Sequence, residues 1–262
     1  MVLAALPSSP KSTFSDADFR AVVRFRLGLE TNDLQYCHHI SSEGIECEGN
    51  CDPFGYHLQQ CPFGGGFFVG HDTVCAEFAD LAGGKEGIPG VVAEWKPQVA
   101  AWPRATRGYE ADVGLLHIPG ERDIYLDGVL SLANPSSYPG CDSKAGKVAE
   151  LWARRKNLEH PVFDRNTGRR LHPFDFRALA FERHGYIAKE TAALIRKLAS
   201  SKAAFFELEP SEETRRWYVA LSCCVQRANA KILRGEAVPG RGSPVPPRLL
   251  LGGRGDFALC CT

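Results

Sequence analysis

Apolar residues recur at the spacing of amphipathic helices in five stretches of the chain, and most of these stretches have recognisable end signals. Ser15 and Asp16 can cap the first helix, and Gly83 and Gly84 can end the second. Pro210, followed by acidic residues, begins the last helix. The pattern predicts helices over residues 16–29, 71–83, 144–158, 187–200 and 210–233.

Four other runs are short and apolar enough to be strands. They cover residues 90–95, 111–118, 123–132 and 174–182. Pro119 and Gly120 supply a turn between the second and third runs, which predicts a β-hairpin. Strands that are both preceded and followed by helices predict an α/β domain.

Composition divides the chain into four parts. Residues 1–36 hold a leader and the first helix, and residues 37–66 are rich in Cys, His and Gly without any periodicity. Residues 67–235 carry the strands and the remaining helices. Residues 236–262 form a tail rich in proline and glycine, which we expect to be disordered.

The composition excludes several classes of protein. Of the 262 residues, 44% are hydrophobic and 24% are charged, which excludes a wholly disordered chain. No apolar run approaches the roughly 18 residues that a membrane span requires, so we expect no membrane partner. The first residues are too short a segment, and too rich in proline, for a secretory signal. We therefore expect an intracellular protein, and a nuclear one if its partner is DNA.

Positive charge is concentrated in the second half of a neutral chain. The sequence has 31 basic and 31 acidic residues, but residues 144–234 hold 19 Lys and Arg against 10 Asp and Glu. Such a region suits a polyanion such as DNA, because phosphate contacts supply most non-specific affinity for nucleic acids. The candidate phosphate contacts are Arg154, Arg155, Arg169 and Arg170. The alternative is that these arginines are merely solvated.

The strongest local signal is a cluster of cysteine and histidine residues in the first third of the chain. Its spacing, C-x3-C-x5-H-x3-C, suits a tetrahedral zinc ion held by two close pairs of ligands: Cys47, Cys51, His57 and Cys61. Four protein ligands leave no open position, so we expect a structural zinc whose loss unfolds this segment. Three neighbours could substitute for a ligand: Cys37, His38 and His39. Coincidental buried thiols are the alternative interpretation.

Three acidic residues lie on, or at the ends of, successive predicted strands. If these strands are adjacent, about 4.8 Å apart, the carboxylates of Glu94, Asp112 and Asp127 can converge on one divalent ion. Bound Mg²⁺ or Mn²⁺ polarises a phosphoryl oxygen and lowers the pKa of its water, as phosphodiester hydrolysis requires. Acids are depleted in strands, which makes these residues functional candidates. Otherwise they are ordinary strand-end or edge acids.

Several short motifs connect these features in order along the chain. They are F-R with R-L-G-L within residues 19–29, C-x3-C-D-x2-G-x-H-x3-C at 47–61, G-H-D at 70–72, Glu94 followed by E-A-D-V at 110–113, D-G-V at 127–129, the run 174–182 with Gly185 and Glu190, and Q-R-A-N-A with I-L-R-G within 226–235. This order resembles the C-terminal region of non-LTR retrotransposon polyproteins that carry a restriction-like endonuclease, and related stand-alone sequences of protists and algae. The resemblance covers about residues 15–235.

The resemblance implies the PD-(D/E)XK nuclease fold, a mixed sheet of about four strands flanked by helices, here preceded by a zinc knuckle. It also implies Mg²⁺-dependent cleavage of DNA by the three strand acids, with Asp112 and Asp127 as the magnesium ligands. Val129 stands where this fold usually has its lysine. In the retroelement branch the lysine can come from the following helix, where this sequence offers Lys144, Lys147 and Lys156, with Lys147 and Lys156 as the candidates.

Two other interpretations fit the same sequence. The first is a catalytically degenerate nucleic-acid-binding module that keeps the zinc knuckle and the basic helices. It is favoured by two departures from the family pattern, namely Gly70 in place of Arg and Glu110-Ala111 in place of a basic residue, Pro and Ala before Asp112. The second is a non-functional piece of a decayed element.

Overall fold

A four-stranded mixed sheet flanked by helices forms the centre of the protein in a computed structural model. The structure describes residues 13–31, 33–41, 43–63, 66–99, 109–141 and 143–235. The predicted disordered tail, and residues 1–12 of the predicted leader, lie outside these ranges.

The elements follow the predicted order along the chain. The helices are α1 (Asp16–Arg26), α2 (Tyr56–Gln60), α3 (Gly66–Gly83), α4 (Lys147–Glu159), α5 (Lys189–Phe205) and α6 (Pro210–Leu233). The strands are β1 (Val92–Trp95), β2 (Gln98–Val99), β3 (Tyr109–Glu110), β4 (Val113–Leu116), β5 (Ile124–Ser131) and β6 (Asp175–Glu182). The short helix α2 and the two-stranded ribbon of β2 and β3 were not predicted from the sequence pattern.

The sheet has the strand order β1-β4-β5-β6. β1 pairs antiparallel with β4, and β4 pairs antiparallel with β5 across the turn at Pro119 and Gly120, so the predicted hairpin is confirmed. Gly120 has a φ of 73°, a left-handed conformation that glycine adopts without strain. β6 then pairs in parallel with β5, from Ile124 opposite Asp175 to Ser131 opposite Glu182. The connection between these two parallel strands contains α4, as a crossover requires.

The two faces of β5 point to different helices. Leu126 and Leu130 belong to the main core, which α3, α5 and α6 complete. Trp217 of α6 lies at its centre, with its ring packed edge-on against Phe78 of α3 at a centroid distance of 5.8 Å. The opposite face of the sheet is covered by α4, which packs on β5 and β6 through small residues such as Ala149 and Ala153. Within the described ranges, no helix combines the length and apolar character needed to cross a membrane.

Glu182, the last residue of β6, fixes the beginning of α4. Its buried Oε1 accepts hydrogen bonds from the backbone N–H groups of Val148 and Ala149, at 3.1 and 3.2 Å. These two N–H groups belong to the first turn, where a helix has no partners of its own and favours negative charge. Glu182 therefore links the end of the sheet to the helix that carries the candidate lysines.

We expect Glu182→Ala to lower the free energy of unfolding by about 1.5–3 kcal/mol, because it removes an ionised acceptor from two buried N–H groups. Glu182→Gln keeps a carbonyl acceptor and is expected to lose less. Urea unfolding of the two variants checks this order. Equal losses in both would contradict a capping role for the carboxylate.

Candidate metal centres

The cysteine- and histidine-rich segment is folded by a hairpin and by the short helix α2. In the hairpin, the N–H of Cys37 donates to the carbonyl of Gly49, and the N–H of Glu48 donates to that of Cys37. Asp52 organises the helix, because its carboxylate accepts hydrogen bonds from the backbone N–H groups of several following residues, including His57 at 2.7 Å. The hairpin and the helix thereby present their thiol and imidazole groups to one another.

Four of these side chains form a compact group: Cys37, Cys47, His57 and Cys61. All four ligand atoms lie within 4.8 Å of one another, with 3.7 Å between the sulfurs of Cys37 and Cys61 and 3.6 Å from the Cys47 sulfur to His57 Nε2. Cys37 and Cys61 are buried, and the other two are half-buried. Three thiols and one imidazole could hold a metal ion such as zinc.

This group differs from the predicted zinc ligands at one position. Cys37, predicted only as a substitute, belongs to it, and Cys51 does not. Cys51 lies next to the group, and burial, followed by the neighbouring Cys37 and Asp52, raises the pKa of its thiol to about 11. His38 is exposed and contacts Glu46 at 2.6 Å. Neither His38 nor His39 belongs to the group.

Glycine at position 49 is necessary for this packing. A Cβ atom there would lie 2.6 Å from His57 Cε1 and 3.3 Å from the sulfur of Cys47. Contacts as short as the first are essentially never observed, so a larger residue would displace the imidazole. Gly49 lies between Cys47 and Cys51 in the sequence. It was not part of the predicted site, although the side chains that require a glycine there are within the same segment.

The strand acids have different surroundings. Among the described residues, Glu94, Asp112 and Asp127 do not form a group in which one oxygen from each lies within 4.8 Å of the others. Oδ2 of Asp112 accepts a hydrogen bond from the N–H of Gly128 at 2.7 Å and lies 3.2 Å from His71 Nε2 on α3. Oδ2 of Asp127 instead contacts α4 on the other side of the sheet.

The backbones of Asp112 and Asp127 are nevertheless neighbours across the sheet. Val113 of β4 pairs with Leu126 of β5, so Asp112, directly before β4, is the neighbour of Asp127 on the adjacent strand. The N–H of Asp112 donates to the carbonyl of Leu126, which shifts Asp112 out of the regular register. That shift explains why its carboxylate reaches the N–H of Gly128 and the α3 side. Glu94 lies farther along the sheet, opposite Gly114.

Only one of the two candidate lysines reaches a strand acid. Lys156 Nζ lies 2.7 Å from Asp127 Oδ2, and His160 Nε2 approaches the same oxygen to 3.6 Å. Asp127 is buried, with 6% of its surface exposed. Lys147, at the start of α4, donates instead to the carbonyl of Pro139.

A second group of potential metal ligands was not predicted. It consists of His71 and Cys75 on α3 together with Asp112, and their ligand atoms also lie within 4.8 Å of one another. Burial disfavours the charged form of His71, but Cys75 and the carboxylates of Asp112 and Asp72 outweigh this effect and raise its pKa well above the usual range. The surroundings of the imidazole therefore favour positive charge.

The four candidate phosphate-binding arginines are not equivalent. Arg154 and Arg169 are exposed to solvent. Arg155 is also exposed and forms an ion pair with Glu159 at 2.8 Å. Arg170 is tied into the protein, since its guanidinium contacts Asp175 at 2.7 Å and the carbonyl of Phe174 at 3.0 Å.

No protein-family model matches this chain. No curated protein matches it either.

Proposed function

We propose that this protein is a metal-dependent endonuclease that cleaves DNA phosphodiester bonds, as its resemblance to the nuclease region of non-LTR retrotransposons implies. The order of its central elements supports this proposal. A helix precedes three antiparallel strands, and after the crossover helix α4 a fourth strand pairs in parallel with the third. In this arrangement, β4 and β5 are the strands that would contribute the two metal-binding acids.

The observation that carries the proposal is the position of Lys156. Its Nζ contacts the carboxylate of Asp127, and Asp127 lies next to Asp112 across β4 and β5. Two carboxylates and one lysine are the minimal set for this chemistry, and the family resemblance allows the lysine to come from the following helix. Lys156 thus provides the cationic group that Val129 cannot.

Carboxylate oxygens are suitable ligands for Mg²⁺, so Asp112 and Asp127 fit a magnesium site by donor type. Bound there, Mg²⁺ would polarise the phosphate and lower the pKa of a water ligand. The proposal requires Asp112 to turn from His71 toward Asp127. Lys156 would then orient the attacking water or neutralise the phosphate oxygens. The exposed side chains of Arg154 and Arg169 would contact the DNA backbone.

We expect the purified protein to nick supercoiled plasmid in the presence of Mg²⁺ or Mn²⁺. Asp127→Asn should abolish nicking, and Lys156→Met should reduce it roughly 100-fold or more, which is the usual contribution of a positioned acid–base group. Matched controls are Lys147→Met on the same helix and Asp123→Asn just before the same strand. Neither control should change the rate.

Equal nicking by wild type and Asp127→Asn would overturn the proposal. Binding of DNA without cleavage would instead support the second candidate, a nucleic-acid-binding module without catalysis. Its supporting observation is that the three strand acids do not converge. Binding of a duplex that falls steeply with salt, without cleavage by either metal, would establish it.

A further inference from the structure

His71 and Cys75 lie one turn apart on the same face of α3, and Asp112 faces them from the position directly before β4. His71 Nε2 is 3.2 Å from Asp112 Oδ2 and 3.9 Å from the sulfur of Cys75. We propose that these three side chains form a second metal site, for a divalent ion with the ligand preferences of zinc. This site is separate from the group at Cys37, Cys47, His57 and Cys61.

The outer contacts of His71 orient it as a ligand. Its Nδ1 lies 2.9 Å from Asp72 Oδ1, and the other oxygen of Asp72 contacts Lys96 at 3.3 Å. A metal ion would replace the proton on Nε2, and the proton that remains on Nδ1, donated to Asp72, would leave the lone pair of Nε2 directed toward Cys75 and Asp112. Metal-binding histidines are commonly fixed by a carboxylate in this way.

Gly128 provides an independent sign that the space between the three side chains is reserved for them. A Cβ atom at this position would lie 2.4 Å from the sulfur of Cys75 and 2.7 Å from His71 Nε2. Glycine weakens a strand interior, so its presence in the middle of β5 often marks a close approach of other groups. Its N–H also holds the carboxylate of Asp112 at 2.7 Å. Gly128 therefore both admits the ligands and positions one of them.

The donor set determines the class of ion. A thiolate, an imidazole and a carboxylate suit Zn²⁺ or a similar transition metal, whereas Mg²⁺ and Ca²⁺ prefer oxygen ligands alone. Three protein ligands leave a fourth coordination position, which is typical of sites that bind water or a small anion. The side chains of His71 and Asp112 are 18% and 19% exposed, so solvent can reach this position.

The inference goes beyond the proposed nuclease activity, although both involve Asp112. Zinc at this site would retain Asp112 on the α3 side and compete with magnesium for its carboxylate. Metal binding can be measured without DNA. Failure of the second site and failure of the nuclease proposal are therefore distinguishable.

The test is a titration of the metal-free full-length chain with Co²⁺ alone, which reports thiolate ligands by charge-transfer absorption. Every protein compared carries Cys260→Ser and Cys261→Ser, so that these terminal thiols cannot contribute. We expect two equivalents of cobalt, corresponding to the two groups of ligands. Cys75→Ala and His71→Gln should each remove one equivalent. The control Cys223→Ala, a buried thiol on α6 outside both groups, should retain two.

Two measurements keep the inference falsifiable if a ligand variant fails to fold. Gly128→Ala removes no ligand but fills the space beside Cys75 and His71, so it should also lose one equivalent. X-ray absorption of the zinc-loaded wild type should give a mean of two sulfur ligands per zinc, because one group offers three thiols and the other offers one. One equivalent in the wild type, or a mean of three sulfurs per zinc, would overturn the second site.

Discussion

Removal of zinc is expected to unfold the segment of residues 34–63 and to leave the central sheet intact. Apolar burial holds little of this segment, because most of its large apolar side chains are exposed: Leu34, Tyr36, Ile40, Ile45 and Phe54. Leu58 of α2, by contrast, is buried beside Ile232 of α6. In zinc-finger peptides the ion supplies about 10–16 kcal/mol, most of which is folding energy. An ion at Cys37, Cys47, His57 and Cys61 would link the hairpin to α2 in the same way.

Amide hydrogen exchange before and after treatment with a chelator measures this effect. The N–H groups of Cys37, Cys47 and Cys51 donate to backbone carbonyls in the hairpin and should lose their protection when the metal is removed. The N–H groups of β5, which pair with β6 along the whole strand, should keep theirs. Unchanged protection of the hairpin amides, with loss of zinc confirmed, would contradict a structural role.

A matched pair of variants identifies the fourth ligand. Loss of an outer contact of a metal site typically costs 10- to 100-fold in affinity, and loss of a direct ligand is expected to cost more. Cys37→Ser should therefore weaken zinc binding by more than about 100-fold, and Cys51→Ser by less. The reverse order would restore the ligand set that the sequence spacing predicts.

The difference between these ligand sets shows where sequence reasoning ends. Spacing identified Cys47, His57 and Cys61, because two of them lie on one short helix and its end. It could not select Cys37, which joins the group only through the hairpin that places it opposite Gly49. The residues of that hairpin do not alternate between apolar and polar, so the sequence pattern does not predict that they pair.

The strand acids illustrate the same limit. The order and type of the strands follow from their apolar runs and from the turn at Pro119 and Gly120, and both are confirmed. The direction of the Asp112 side chain depends on a local shift in register next to Leu126. A shift of one residue redirects a side chain, and composition does not reveal it.

The choice between the two lysines of α4 was open for a geometric reason. Lys147 and Lys156 are nine residues apart, which is about two and a half helical turns and places them on opposite sides of the helix. Only one of them can face β5, and the sequence alone does not fix the rotation of α4. The buried Glu182 at the start of the helix and the alanines beneath it fix that rotation.

A buried ion pair between α5 and α6 was also not predictable, since a lysine in an amphipathic helix suggests a position on its solvent-exposed face. Lys202 Nζ lies 2.9 Å from Glu213 Oε1, and the two side chains are 4% and 3% exposed. Glu213 also accepts a hydrogen bond from the indole N–H of Trp217 at 3.0 Å. The exposed Arg216 is 3.8 Å from its other oxygen.

Lys202→Met is expected to lower the free energy of unfolding by about 3–5 kcal/mol, because it leaves the charge of Glu213 buried without its close partner. The double variant Lys202→Met/Glu213→Gln removes that charge and keeps an acceptor for Trp217, so it should recover most of the loss. Lys197→Met is the control on the same helix. Its ion pair with Glu121 is exposed, and its loss should cost no more than about 1 kcal/mol.

Urea unfolding of the four proteins, at one zinc concentration, separates the contribution of the charge from that of packing. If the desolvated carboxylate is the cause, the double variant is more stable than Lys202→Met alone. If the double variant is no more stable than Lys202→Met alone, the pair contributes through its contacts and not through the mutual neutralisation of its charges. The distinction matters for the core, because Glu213 holds the indole of Trp217 at the point where α6 packs on α3.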